Sequence, residues 1–229
     1  MRLRVVTWNV QGKAPGRVGM DRLMADWRPD LLLLQEADVA AVEAHPSLAA
    51  ALPHRFMHSP AGYRSVIAIL SAHPVRATGM LDAPREIFDR PRLLWADLAL
   101  PDGRGLVVAS VHTTAPDRLL PPFYDARKRN AELGAIAEFA RSLLESRAEL
   151  VLGGDFNTIR YEIPGMTDAA LVTDSAAPTW RGLAMPWMPA MLRLDRIFVG
   201  PALEVRGSQV WRGRHGSDHH PVRADLSFT

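Results

Sequence analysis

No cysteine occurs among the 229 residues, which excludes thiol nucleophiles, thiolate metal sites and a disulfide scaffold together. Lysine is almost as scarce. Lys13 and Lys128 are the only two, so nearly all the basic charge is arginine. Long apolar runs are missing as well. The longest, Leu31 to Leu34 and Val66 to Leu70, fall far short of the ~20 residues that span a bilayer. The opening Met1-Arg2-Leu3-Arg4 leads straight into a β-like segment and lacks the apolar stretch of a secretory signal. These absences give the expectation of a protein of the cytoplasm. Neither sign of charge dominates, with 27 basic against 25 acidic residues and a net charge of +2. No basic segment therefore forces a nucleic-acid partner. Arginine's planar fork suits phosphate recognition, but alanine, proline and glycine are also plentiful, and a compositional bias explains the arginine more simply.

What is present suffices for a core. A single domain over residues 1–229 would bury roughly 70–75% of the unfolded chain's surface. Leu3 to Asn9 alternates as a strand does, and Asp30 to Gln35 reads as a buried strand. Between them Met20 to Trp27 has helical spacing, stopped by Arg28-Pro29. A helix is expected from Val39 to about Leu52, shortened or kinked by Pro46. β-like runs follow at Ser65 to Leu70, Val75 to Met80, Leu93 to Leu100 and Leu106 to Val111, the last two joined by an Asp102-Gly103 turn. The longest helix starts after Pro121-Pro122 and runs to about Glu145 on a stripe of Leu133, Ile136, Phe139, Ala140, Leu143 and Leu144. Further strands are read at Glu149 to Leu152, Leu194 to Val199, Val205 to Trp211 and Val222 to Leu226. Hairpins mixed with β-α-β units favour an α/β fold of two mixed sheets packed face to face with helices outside.

Polar residues gather where apolar runs stop. Asn9, Glu36 and His112 each end one; Asp155 and Asn157 follow Val151-Leu152-Gly153-Gly154; Asp218 and His219 follow Gly216, just before the last strand. One such residue is an ordinary turn residue. Five strand ends carrying metal-binding or proton-handling groups are hard to explain that way, because rigid strands are how residues distant in sequence are converged. The types suit phosphoester hydrolysis, which needs phosphoryl charge neutralised, a water activated and the departing oxygen stabilised. Glu36 is a hard oxygen ligand for Mg²⁺ or Mn²⁺. Asp155 can orient or deprotonate a water, and Asn9 and Asn157 can donate neutral hydrogen bonds to the phosphoryl group. His219 can bond or protonate a phosphoryl oxygen if Asp195 fixes its tautomer, and His112 is a second donor.

Thr7-Trp8-Asn9, Leu34-Gln35-Glu36, Ser110-Val111-His112, Gly154-Asp155-Phe156-Asn157, Leu194-Asp195-Arg196-Ile197-Phe198 and Ser217-Asp218-His219-His220-Pro221 resemble, in that order, the motifs of the endonuclease/exonuclease/phosphatase superfamily. Thr179-Trp180 resembles another feature common there. The resemblance implies a four-layer α-β-β-α sandwich with the active site at one edge of the paired sheets. It implies Glu36 as principal metal ligand with Asn9 and Asp218 nearby, Asp155 positioning the water, and Asp195 paired with His219. Gln11 stands where apurinic-site endonucleases often carry a further group, so a second tightly held metal is not expected. Ser-Val-His resembles the deoxyribonuclease, sphingomyelinase and phosphatase branches rather than apurinic-site enzymes. A nuclease-type phosphodiesterase ranks ahead of a lipid or inositol-phosphate phosphoesterase, and a non-catalytic binding module ranks below both.

Other residues invite plainer readings. His220 should face away from His219, since neighbours on a strand point to opposite faces. His45, His54, His58, His73 and His215 lack ligand spacing and read as surface or packing groups. Asp38 reads as a helix N-cap, and Asp168 and Asp174 as turn and cap residues. Two apolar loops, Leu119 to Tyr124 and Met185 to Pro189, would offer a lipid surface or bases an apolar rim if exposed. Covers packed over the sheet edges are the simpler reading. Arg118, Arg127, Arg181 and Arg193 could reach phosphates, though surface arginines are ordinarily just solvated.

Overall fold

In the first strand, β1 (Arg2–Asn9), successive side chains part to opposite sides. Leu3 and Val5 enter one apolar cluster, while Val6, Trp8 and the following Val10 enter another. That division repeats across the molecule and defines its layers. The computed structural model describes residues 1–13, 18–58, 65–81, 92–115, 122–181, 189–212 and 215–229. Residues 119–121 and 185–188 of the two apolar loops, and Arg118, lie outside the described residues.

Helix α1 (Met20–Trp27) buries Met20, Leu23, Met24 and Trp27, a three-and-four spacing that makes one face, and ends as the Arg28 backbone turns left-handed ahead of Pro29. Strand β2 (Leu31–Asp38) follows. The helix expected over Val39 to Leu52 is two helices, α2 (Val39–Glu43) and α3 (Pro46–Ala51). The cause is Pro46, which holds His45 in extended backbone and restarts the helix at its own first turn. Asp38 caps α2, accepting from Ala41 N at 3.0 Å. Next come β3 (His54–His58), β4 (Ser65–Ser71), β5 (Val75–Met80), β6 (Leu93–Ala99), β7 (Gly105–His112), the long α4 (Pro122–Glu145) and β8 (Leu150–Asp155). After them lie β9 (Thr167–Asp168), α5 (Ala169–Val172), β10 (Asp195–Val199), β11 (Leu203–Val210) and β12 (Val222–Phe228). β3, β9 and α5 were not legible in the sequence.

The strands form two six-stranded sheets, ordered β11-β12-β1-β2-β4-β3 and β5-β6-β7-β8-β10-β9. Each sheet has one parallel pair, β1 with β2 and β7 with β8, and antiparallel neighbours elsewhere. α1 bridges the first parallel pair and α4 the second, as parallel strands require. One core lies between the sheets, drawing on Val5, Leu33, Ile69, Val108, Val151 and Ala224. A second joins the outer face of the first sheet to α1 and α3, and a third joins the outer face of the second to α4 through Leu133, Ile136 and Ala140. This is the four-layer α-β-β-α sandwich. Among the described residues no helix is long and apolar enough to cross a membrane.

Candidate active site

Register brings the strand ends together. In the first sheet Asn9 lies beside Gln35, and in the second His112 lies beside Asp155. Parallel pairing puts the C-terminal ends of β1 and β2, and of β7 and β8, at the same edge. β10 runs antiparallel to β8 and begins there, with Asp195 opposite Asp155. β12 runs antiparallel to β1, so the segment Asp218-His219 that precedes it arrives at that edge too. All eight residues singled out from the sequence therefore reach one rim.

Local backbone aims them. Glu36 sits in a bulge, where the β2–β4 register shifts between Leu34 and Ala37, with a left-handed φ of 52°. Such a conformation is uncommon for a non-glycine residue and swings the side chain out of the strand's alternation. Asn157, φ 48°, is turned in the same way. Gly154 permits the approach of β7: a Cβ there would lie 2.0 Å from the Val111 carbonyl oxygen.

Asn9 is the hub. Its Nδ2 donates to Glu36 Oε1 and to Asp155 Oδ2, both at 3.0 Å, and its Oδ1 accepts from Gln11 N at 2.9 Å. Both amide hydrogens are thus engaged in holding the two carboxylates together. His112 Nε2 stands 3.5 Å from Glu36 Oε1 and 3.9 Å from Asp155 Oδ2. The second oxygen of Asp155 accepts from Asn157 N at 3.0 Å, while Asn157 Nδ2 donates to the Thr113 carbonyl. His219 shares a 2.8 Å hydrogen bond between Nδ1 and Asp195 Oδ2 and presents Nε2 3.7 Å from Asp155 Oδ2. Asp218 Oδ2 accepts from Trp180 Nε1 at 3.1 Å, and its Oδ1 is buried without a partner among the described residues.

The charges follow from these neighbours. Burial pushes the His219 pKa down, but Asp195 and Asp155 outweigh it and raise it to about 10, so the ring is an imidazolium at neutral pH. Burial first, and then the Asp195 charge, push the Asp155 pKa above the ordinary carboxylate value, against the opposing pull of His219 and His112. His220 lies ahead of β12 with its ring 6.3 Å from that of His215; burial, then Arg181, press its pKa down to about 4.

Supporting groups lie one layer further out, and the sequence reading missed most of them. Gln35 Nε2 binds Thr7 Oγ1 and Ser110 Oγ, both at 3.1 Å, making a buried polar floor between the sheets. Thr179 Oγ1 accepts from the backbone N–H of Leu194 and of Asp195, fixing the start of β10. Arg92 and Glu132 form an ion pair at 3.0 Å with side chains 2% and 0% exposed. Glu132 also takes Thr114 N at 2.6 Å and Thr114 Oγ1 at 2.7 Å. That pair clamps the segment following His112 to α4. One signal was available, a carboxylate adjoining the apolar stripe of a long helix. Asp168 caps α5 and holds Arg193, while the buried Arg196 donates to the Thr158 carbonyl at 2.8 Å and also to that of Ile159. Arg193 is thereby committed to a carboxylate.

The donor set fits a hard divalent cation. Glu36, Asp155, Asp195 and Asp218 bring four carboxylates to a site with two imidazoles, more negative charge than the imidazoles can offset. Ligand atoms of Asp155, Asp195 and His219 lie within 4.8 Å of one another and satisfy the spacing of a metal site. Within that trio His219 and Asp195 already share a 2.8 Å hydrogen bond through Nδ1 and Oδ2. The Glu36 side, with the carboxyl 35% exposed, is open instead.

Comparison with known proteins places this geometry in context. The model of a family described as endonuclease/exonuclease/phosphatase matches residues 6–219. No curated protein matches the chain. Among solved structures, D. rerio TDP2 complexed with a single-strand DNA product is similar at 21% identity and a TM-score of 0.79, with 99% of each chain covered. The 3′ phosphatase NExo from Neisseria, bound to a product DNA hairpin, is similar at 25% identity and a TM-score of 0.74, again over 99% of each chain. An endonuclease/exonuclease/phosphatase from Bacteroides vulgatus is similar at 17% identity and a TM-score of 0.76 over the whole of both chains.

Proposed function

Because the chain belongs to the endonuclease/exonuclease/phosphatase family, we propose that it is a hydrolase that cleaves a phosphodiester of nucleic acid with Mg²⁺ or Mn²⁺. The observation that carries this reading is an imidazolium, His219, buttressed by Asp195 and set 3.7 Å from the desolvated Asp155 carboxylate, with Glu36 joined to Asp155 through Asn9. Glu36, with Asp218 and Asn9 nearby, would hold the cation, which would neutralise phosphoryl charge when bound. The remaining work falls to the chain's own residues. Asp155 aims the attacking water and takes its proton, a task helped by a pKa raised through burial. Asn157 N fixes that carboxylate's rotation, and its side-chain amide has a second N–H for a phosphoryl oxygen. His219 donates its Nε2 hydrogen to a phosphoryl oxygen and stabilises the charge that grows there. Asp195 accepts the Nδ1 hydrogen and so orients the imidazolium, and His112 is a further donor on the Glu36 side.

DNA products in two of the similar structures favour nucleic acid over a lipid headgroup. A panel of single- and double-stranded DNA, RNA, sphingomyelin, phosphatidylinositol phosphates and nucleotides, each in Mg²⁺ and in Mn²⁺, tests the substrate class. Cleavage of nucleic acid well above the lipids is expected. Turnover confined to lipid or inositol phosphates would overturn the assignment.

A further inference from the structure

The turn Gly216-Ser217-Asp218 is bound tightly to the reaction centre. Ser217 Oγ donates to the Asn9 carbonyl at 2.7 Å and accepts from His219 N at 3.1 Å. Two cations reach this turn from different parts of the chain. Lys13, in the segment after β1, donates from Nζ to Gln11 Oε1 at 2.8 Å and to the Gly216 carbonyl. Arg181, one residue after the indole that holds Asp218, donates from Nη2 to the Ser217 carbonyl at 2.7 Å and from its backbone N–H to the Asp218 carbonyl at 3.0 Å. The two cations are therefore anchored on the carbonyls of successive residues, beside the Asn9–Asp155–His219 network.

Their partners are neutral oxygens. Arg4, Arg76, Arg104, Arg141, Arg193 and Arg206 each contact a carboxylate. Among the described residues neither Lys13 nor Arg181 does. Neutral carbonyl oxygens fix a cation in place without cancelling its charge. Each group also keeps donors in reserve. An ammonium has three N–H groups, of which two are engaged at Lys13, and the Arg181 Nε is buried with no partner among the described residues. Two cations held by neutral oxygens of one turn, each with a donor in reserve, suit an anion that meets both.

We propose that Lys13 and Arg181 form a second anion subsite beside the reaction centre, which takes the phosphate next to the scissile one along a nucleic-acid strand. The proposal rests on the phosphodiesterase reading above and adds a substrate requirement to it. A lone diester has nothing to place in this subsite, whereas a strand always has.

Two measurements test it. In EDTA, fluorescence anisotropy of a labelled single-stranded oligothymidylate is followed across a series of salt concentrations. Lys13→Met and Arg181→Met are each expected to flatten the logarithmic salt dependence of binding by about 0.7, the release expected for one phosphate contact to single strands. In Mg²⁺, the ratio of kcat/KM on the oligonucleotide to kcat/KM on bis-p-nitrophenyl phosphate, which has one phosphate, is expected to fall about tenfold in each variant. Lys13→Arg and Arg181→Lys should restore most of the ratio. Thermal melts confirm that the variants are folded, and Lys13→Met, on a half-buried segment outside any helix or strand, carries the test if Arg181→Met fails to fold. Unchanged salt slopes together with ratios within twofold of the parent would overturn the subsite. A ratio that falls on phosphatidylinositol phosphates and not on oligonucleotide would overturn its assignment to a strand. If the parent protein turns over neither ester, the phosphodiesterase reading fails separately, and the anisotropy arm still decides whether the two cations bind a phosphate chain.

Discussion

His219 is charged because of what faces it. Burial alone would leave the ring neutral, and the carboxylates of Asp195 and Asp155 reverse that outcome. The proposed chemistry depends on the reversal, since a neutral imidazole whose Nδ1 carries the proton has no Nε2 hydrogen to give a phosphoryl oxygen. In the metal-free protein, imidazole NMR is expected to show His219 titrating at about 10. Asp195→Asn removes the largest raising influence and leaves burial in place, so the pKa should fall well below that value. A resonance still titrating at about 10 in the variant would mean that Asp195 is not what holds the proton. Position and type at this scale were legible in the sequence, because Asn9, Glu36 and His112 each stop an apolar run, Asp155 follows one, and His219 stands just ahead of the last strand. Which donors are already spent was not. That Asn9 uses both amide hydrogens on Glu36 and Asp155 is decided by a contact 146 residues long in sequence.

The elements explain why the strand ends coincide. Each sheet holds one parallel pair closed by a helix, and both pairs end at the same edge. α1 was readable to the residue because its face is amphipathic and its ends are punctuated. The pieces missed were those held by partners rather than by their own pattern. β3 is an edge strand with no clear alternation of burial, α5 is four residues long behind an Asp168 cap, and α2 and α3 separate at a proline that could equally have bent one helix. The Arg92–Glu132 pair belongs with them, since nothing in either neighbourhood announces the other. It joins α4 to the segment after His112. Glu132→Ala removes the carboxylate from a buried guanidinium and should cost about 3–5 kcal/mol of stability, read from chemical denaturation. A loss under about 1 kcal/mol would show that the pair does not hold helix to site.

At the scale of the molecule, two neighbouring histidines set opposite limits on pH. The folded pKa of His220, about 4, lies below its ordinary 6.5, so the unfolded chain takes up the proton first as the medium turns acidic. Its contribution to stability is complete above 6.5 and is lost as pH falls through 4. The folded pKa of His219, about 10, lies above 6.5, so its contribution is complete below 6.5 and is lost as pH rises through 10. The melting temperature of the metal-free protein should therefore be highest near neutrality, and His220→Gln should flatten the acid side. An unchanged acid limb in that variant would remove His220 from the account. The layered fold was legible as two packed mixed sheets from the order of hairpins and β-α-β units, and the six ordered motifs gave the family. Which of Arg181 and Arg193 is tied to a carboxylate was not legible, because sequence distance does not say which arginines are already paired.

Hydrolysis of bis-p-nitrophenyl phosphate by the folded protein, with and without EDTA, tests the central claim most directly. Turnover in Mg²⁺ or Mn²⁺ should vanish with chelation and return with excess metal. It should be lost by at least about 10²-fold in Asp155→Ala and in His219→Ala, and Glu36→Ala should need more metal to reach its rate. Turnover indifferent to EDTA, or retained at the parent rate in all three variants, would contradict a metal-assisted centre at this edge of the sandwich.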